Sequence, residues 1–462
     1  MNNMKWDKLL NESRLKISSR NKSDDFRNEF ESDYGRIIFS PAIRRMHDKT
    51  QVFPLTNDDN IHSRLTHSLE VMSVGESIAL NIIYNEKFRK KSSLEPSNFI
   101  RIIPTVVKNA CLVHDIGNPP FGHFGETVIQ EYFKKLFSSD RENEKNNLKT
   151  RFELNNLERQ DFEFFDGNAQ GLRVLTKLQV LDDPFGLNLT FATLGAYIKY
   201  PNFDELISDK SSVDYLTRKK RGVFQSEKEY FKTVASNLGI ESSQKYIRHP
   251  LAYIMEAADS ICYLIMDIED GYNKGWFKYS FIKDKFYDIE PLKGLFDFID
   301  GKFKSEISKI VNLRLGLIKY FVVLSVNNFI DNYDKILTGA YTEELIKDDK
   351  HKVAKELSKF CVSNIFSKKE ITSLELTGHS VIKGLLDYFI DFTFSTNDDY
   401  RIRAVGMISN STIKAALLET GKQTFDDLSD YFKLRVIVDY ISGMTDQYAL
   451  NQFQKISGQK II

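Results

Sequence analysis

The chain has 462 residues with 64 basic and 64 acidic side chains, so its formal net charge is zero and no global basic field is available to grip nucleic acid. Three cysteines, Cys111, Cys262 and Cys361, lack a CxxC spacing, which excludes a disulfide scaffold or a zinc ribbon and fits a reducing cytoplasm. The start Met1 to Trp6 is not followed by the apolar core of a secretory signal, no uninterrupted apolar stretch is long enough to span a bilayer, and no Walker-type glycine loop is present. A soluble cytoplasmic protein is expected, in which side chains and metal hold any phosphate.

Apolar residues recur at i, i+3, i+4 through most of the chain, so the predicted fold class is all-α. The first long pattern, 67–83, puts His67, Val71, Val74 and Ile78 on one inward face. The second, 99–114, delivers the adjacent pair His114-Asp115 to the edge of a core. Gly117-Asn118-Pro119-Pro120-Phe121-Gly122 must then break the helix, because proline lacks an amide donor and glycine accepts unusual dihedrals. A third helix, 124–137, should carry Glu126 in its first turn, three residues from His123, where the two can hydrogen-bond as an acid/base pair.

The polar stretch 138–161 reads as a surface loop, and 168–181 as the next helix. A second polar stretch, 204–229, carries Lys220 and reads as an excursion able to close over a ligand. Helix 250–269 repeats Asp259, Tyr263 and Asp267 every four residues in one stripe. Patterns at 304–331, 341–366, 373–390 and 427–450 complete the chain. Residues 1–272 carry every predicted catalytic element, and 273–462 is a helical region expected to complete the core and build subunit contacts.

The His-Asp doublet is the most informative feature. Mixed imidazole and carboxylate ligands suit Mn²⁺, Mg²⁺ or Fe²⁺ with positions left open for water and a phosphate oxygen. His67 is the natural third ligand, and Asp259, a carboxylate on an otherwise apolar face, needs a partner that a metal would supply.

His67, the His114-Asp115 doublet and Asp259, in this order, resemble the HD superfamily of metal-dependent phosphohydrolases. The likeness narrows through Ala42 to Arg45, Lys49 to Pro54, Arg64-Leu65-Thr66-His67-Ser68, the HDIGNPPFGHFGE run from His114 to Glu126, Phe165 to Gly171, Met255 to Asp259 and the DYISGMTD segment Asp439 to Asp446. These resemble the bacterial deoxyguanosinetriphosphate triphosphohydrolases, from near Arg20 to near Tyr448. The resemblance implies an HD helical core with additional C-terminal helices, and cleavage of a dNTP, preferentially dGTP, to deoxynucleoside and inorganic triphosphate. It assigns His67, His114, Asp115 and Asp259 to the metal, and His123 with Glu126 to proton transfer, the direction being left open. Arg64, Lys199, Tyr200 and Lys220 would hold phosphates, and Asn168 would contact the substrate near them. Gln51 and Asp267 would bind the sugar 3′-hydroxyl, with Val52 beside Gln51 in the same substrate segment. Tyr263 would pack on the deoxyribose and exclude a 2′-hydroxyl. It also implies a hexamer, with Arg401, Arg403 and the DYISGMTD segment serving an adjacent site, and single-stranded DNA as an effector.

Taken singly, Arg64, Lys199 and Lys220 are ordinary surface cations, and Tyr200 and Tyr263 ordinary core rings. His47, His62, His249, His351 and His379 match no ligand position and read as structural or exposed. Two other readings compete. An HD hydrolase of nucleoside monophosphates or cyclic nucleotides would have little use for three cations around one phosphate. A nucleic-acid-binding regulator would not need an intact His123-Glu126 pair.

Overall fold

The computed structural model describes residues 4–17, 25–55, 61–179, 183–212, 214–242 and 245–460. The fold is all-α; among the described residues the strands are Glu241–Ser242 and Lys245–Tyr246, an antiparallel pair of two residues each.

Three helices make the frame of the site: Arg64–Tyr84, Ile103–Val113 and Pro250–Asn273, packed against one another. Ser63 and Thr66 form a capping box that fixes where the first begins, and prolines occupy the first turn of the other two, where a missing N–H costs nothing. The helices approach closely at Gly75, where an added Cβ would stand 2.6 Å from Cys111 Sγ. Val71, Ile78, Val107, Ala110, Ala258 and Ile261 are buried in the seam. Each larger aliphatic side chain among them contributes about 1.5–3 kcal/mol when fully buried. The ends that carry His67 and His114 are thereby fixed against the middle of the helix that carries Asp259.

The 26-residue helix Glu306–Asp331 has the length and hydropathy of a membrane span, but packs on this frame through Leu313, Leu317, Phe321 and Phe329. A second core joins Gly122–Lys145 to the C-terminal helices Lys369–Thr393 and Asp430–Ser442, with Phe133, Phe137, Phe162, Leu385, Phe389 and Ile437 inside it. All three cysteines are buried and free.

Several expected segments differ, among them 427–450, which breaks after Ser442 into Asp430–Ser442 and Asp446–Ile456. The stretch 138–161 is largely helical: Gly122–Lys145 runs far beyond residue 137, and Asn155 caps a further helix, Asn156–Glu163. Asp140 explains it, for its buried carboxylate accepts the N–H groups of Arg151 at 2.8 Å and Phe152 at 3.0 Å and folds the connection back. Conversely, 341–366 is helical only from Val353, continuing through Cys361 into a wider turn at Val362–Phe366. Ahead of it, the Asn328 amide donates to the carbonyls of Leu345 at 2.8 Å and Asp348 at 2.7 Å, replacing helical bonds.

Candidate active site

His114 ends its helix, and its Nδ1 lies 2.7 Å from the Cys111 carbonyl. A carbonyl can only accept, so Nδ1 carries a proton and Nε2 is the nitrogen that could give up its own proton to a metal. That Nε2 is buried without a hydrogen-bond partner among the described residues and lies 3.4 Å from Asp259 Oδ1. His67 Nε2 reaches the same oxygen at 3.3 Å. His67, His114 and Asp259 form a group whose ligand atoms all lie within 4.8 Å of one another. Asp115 stands at its edge, Oδ1 3.6 Å from His114 Nε2, with Arg64 Nη1 on Oδ2 at 2.5 Å and the Asn118 amide on Oδ1 at 2.7 Å.

The electrostatics favour positive charge at this point. Burial works against the His114 imidazolium, yet Asp115 and Asp259 hold it up at about 9. Burial likewise opposes ionisation of Asp259, yet His114, His67 and Lys199 keep it well below the usual carboxylate range. An orphaned imidazole nitrogen, a second imidazole and a carboxylate around one point fit a divalent cation.

His123 follows a sharp turn. Phe121 and Gly122 have φ of 61° and 58°, and a Cβ at Gly122 would stand 2.4 Å from Arg64 Nη2. His123 Nδ1 donates to Glu126 Oε2 at 2.9 Å, as the spacing predicts, while Glu126 Oε1 accepts the Gly167 N–H at 2.7 Å. The negative charge of Glu126, and the hydrogen bond to it, raise the His123 pKa above the ordinary imidazole value. The ring is largely exposed and stands on the cavity wall.

The cavity has a volume of about 500 Å³. Its wall includes Gln51, Val52, Arg64, His114, Asp115, His123, Asn168, Lys199, Tyr200, Lys220, Asp259 and Tyr263, segments far apart in the chain. Lys220 pairs with Asp166 at 2.8 Å, and Asp166 caps the Gly167–Thr176 helix while accepting from the Asn168 amide at 2.7 Å. Lys199 lies 3.5 Å from Glu256 and 3.8 Å from Asp259. A larger cavity of about 700 Å³ near Arg36, Arg45 and Tyr448 has, among its described lining residues, Asp439 as its one carboxylate and no imidazole.

Four expected residues are not on the wall. His67 lies beneath it in the metal group, and Glu126 stands behind His123. Asp267 is buried one turn beyond Tyr263, its Oδ2 without a partner among the described residues. Arg403 is exposed on the helix Asp398–Met407, 3.9 Å from Asp399, and does not line this cavity of its own chain.

Sequence reasoning also overlooked contributors. Phe366, Ile371 and Glu375 line the cavity, so the wall draws on the chain beyond residue 272. His62, read as structural or exposed, is structural: Nδ1 meets Asp270 at 2.8 Å and Nε2 meets Glu70 at 3.2 Å. Burial pulls its charged form down, but these two carboxylates hold the imidazolium up at about 10. Asp446 of the DYISGMTD segment contacts Thr50 and Phe121 of its own chain. His62 precedes the helix that carries Glu70, and Asp270 lies on another helix, so no periodic spacing links the three in the sequence.

Matches to known families follow this geometry. Residues 64–162 match the HD domain and 346–455 the phosphohydrolase-associated domain, which makes the protein an HD-domain phosphohydrolase, a class that implies a divalent metal. A deoxyguanosinetriphosphate triphosphohydrolase-like protein of Listeria innocua is 34% identical across 98% of this chain and 100% of its own length, and one of Synechocystis is 34% identical across 98% and 99%. The deoxyguanosinetriphosphate triphosphohydrolase of Yersinia enterocolitica is 33% identical across 92% of this chain and 93% of its own. The chain belongs to the deoxyguanosinetriphosphate triphosphohydrolase family.

Proposed function

We propose that the protein hydrolyses dNTPs, dGTP foremost, to the deoxynucleoside and inorganic triphosphate, with water attacking the α-phosphorus and the bond to the sugar 5′-oxygen breaking. The observation that carries this reading is the convergence of His67, His114 and Asp259 at a cavity that also presents three cations and the His123-Glu126 pair. His67, His114, Asp259 and, at the edge, Asp115 would hold a divalent cation, Mn²⁺ or Mg²⁺, which supplies Lewis acidity toward the phosphoryl group and water.

The remaining work falls to side chains. Arg64, Lys199 and Lys220 offset the negative charge of a triphosphate, and Asn168 adds a polar contact beside Lys220. Glu126 keeps the His123 Nδ1 protonated and raises its pKa, which favours an imidazolium whose Nε2–H protonates the departing 5′-oxygen. Gln51 Oε1 on the cavity wall is buried without a partner among the described residues, a cost that a sugar hydroxyl would relieve; Asp267 Oδ2, likewise unpartnered, would need the wall to open to join it. Tyr263, stacked on Phe366 with centroids 6.1 Å apart, offers a flat apolar wall to the deoxyribose. A cytoplasmic, homo-oligomeric enzyme fits this reading.

Purified protein incubated with dGTP and Mn²⁺ should release deoxyguanosine and triphosphate in equal amounts. Release of dGMP and pyrophosphate would refute the cleavage position, and turnover of monophosphates alone would favour the simpler HD hydrolase.

A further inference from the structure

The turn that presents His123 has a backbone that does not hold itself. Phe121 sits at φ 61°, in the left-handed region that L side chains avoid, and such a conformation persists only where its surroundings impose it. Here the surroundings come from the far end of the chain. The Phe121 N–H donates to Asp446 Oδ1 at 2.9 Å. The other oxygen of that carboxylate, Oδ2, accepts the Thr50 N–H at 3.0 Å and the Thr50 hydroxyl at 2.7 Å. Lys49 runs a parallel tie, its Nζ donating to the Asn118 carbonyl at 2.6 Å and to the Ser442 carbonyl at 2.8 Å.

Thr50 immediately precedes Gln51, and Phe121 stands two residues before His123. One buried carboxylate therefore spans two sides of the cavity, the Gln51 segment and the His123 turn. We propose that Asp446, supplied by the phosphohydrolase-associated region, is a positioning residue that fixes the His123 turn to the Gln51 segment of its own chain, with Lys49 bracing the same junction. This gives the DYISGMTD segment a role in its own active site, beside the one in a neighbouring site that the resemblance implied. The activity part of the proposal rests on the dNTP hydrolysis proposed above.

Asp446→Asn tests it. The carboxamide keeps one acceptor and must turn its NH₂ toward either the Phe121 N–H or the Thr50 N–H, so one of these two backbone hydrogen bonds is lost. Hydrogen–deuterium exchange of the full-length protein should quicken in the peptide containing Phe121 or in the one containing Thr50, and peptides from the Arg64–Tyr84 and Pro250–Asn273 helices should keep their wild-type rates. With dGTP and Mn²⁺, kcat per bound Mn²⁺ should fall about tenfold or more, since small misplacements of a reacting group cost factors of this size. KM should move less. Unchanged exchange around both Phe121 and Thr50 overturns the anchoring, and faster exchange with unchanged kcat overturns the positioning role. If Asp446→Asn does not fold, Thr50→Val decides: one hydrogen bond is removed, and about fivefold slower turnover with faster exchange in one of these peptides is expected, whereas no change in either overturns the proposal. Wild-type protein inactive on every dNTP would count against the proposed function, while the exchange measurement still judges the anchoring.

Discussion

Two of the buried charge clusters among the described residues are built differently. In one, Arg173 donates to Asp439 at 2.8 Å, to Glu227 at 2.7 Å and to Glu419 at 2.9 Å, while Arg435 bonds Gln170 at 2.7 Å and stacks 3.9 Å from the Phe224 centroid. In the other, His67, His114 and Asp115 stand around the proposed cation site at 3.3, 3.4 and 3.6 Å from their acidic or imidazole neighbours. The first cluster neutralises its charges in direct contact and ties the Gly167–Thr176 helix to Asp430–Ser442. In the second, Asp115 is tied to Arg64 at 2.5 Å, but His67, His114 and Asp259 stand farther apart, with their ligand atoms within 4.8 Å of one another. A cluster closed by direct ion pairs stabilises the fold, whereas two imidazoles and a carboxylate spaced this way leave room for an ion.

This contrast can be broken or sharpened by substitution. The largest effect is expected from Asp259→Ala, which removes the carboxylate touching both imidazoles: Mn²⁺ binding by calorimetry and dGTP turnover should both be lost, while the unfolding temperature in EDTA stays near the wild-type value. Next, His123→Ala should lower turnover by roughly 10²–10⁴-fold, the range for losing a general acid, with Mn²⁺ stoichiometry unchanged; equal turnover would remove His123 from the reaction. Arg173→Met should do the reverse of Asp259→Ala. Leaving Asp439 and Glu227 buried without their cation should cost about 3–5 kcal/mol in urea unfolding, and the folded protein should keep its Mn²⁺ affinity; a negligible loss would erase the distinction between the clusters.

The smallest effect concerns His62. Its folded pKa of about 10 lies above the ordinary 6.5, so the folded state binds the proton more tightly. Its contribution is therefore complete below about pH 6.5 and disappears as pH rises through about 10. Urea unfolding across that window should show stability falling more steeply with pH in the wild type than in His62→Gln; parallel curves would mean that the Asp270 and Glu70 contacts do not hold a proton.

The convergence of His67, His114 and Asp259 was legible because the signals are local: a His-Asp doublet at a helix end, a histidine on an apolar face and a carboxylate on a buried stripe each stand out within a few residues. Arg64, Lys199 and Lys220 were legible only through resemblance, since an isolated cation carries no periodic signal. His62 and Asp446 were not legible, because their roles are long-range. His62 meets Asp270 across 208 positions, and Asp446 meets Phe121 across 325. The same reason explains the misread segments: Asp140 and Asn328 satisfy distant backbone groups, a contribution that apolar patterning cannot register. Helix existence followed from periodicity at Arg64–Tyr84, Pro250–Asn273 and Glu306–Asp331, where one face is richly apolar. Short or polar helices such as Asn156–Glu163 depend on caps and tertiary contacts instead.

The central claim is that two imidazoles and a carboxylate were brought together to hold a divalent cation. A crystal of the protein grown with Mn²⁺, with anomalous data collected at the manganese edge, tests it directly. The account predicts one strong peak within coordination distance of His67 Nε2, His114 Nε2 and Asp259, absent from Asp259→Ala. Manganese bound elsewhere, or the same peak in Asp259→Ala, would contradict it.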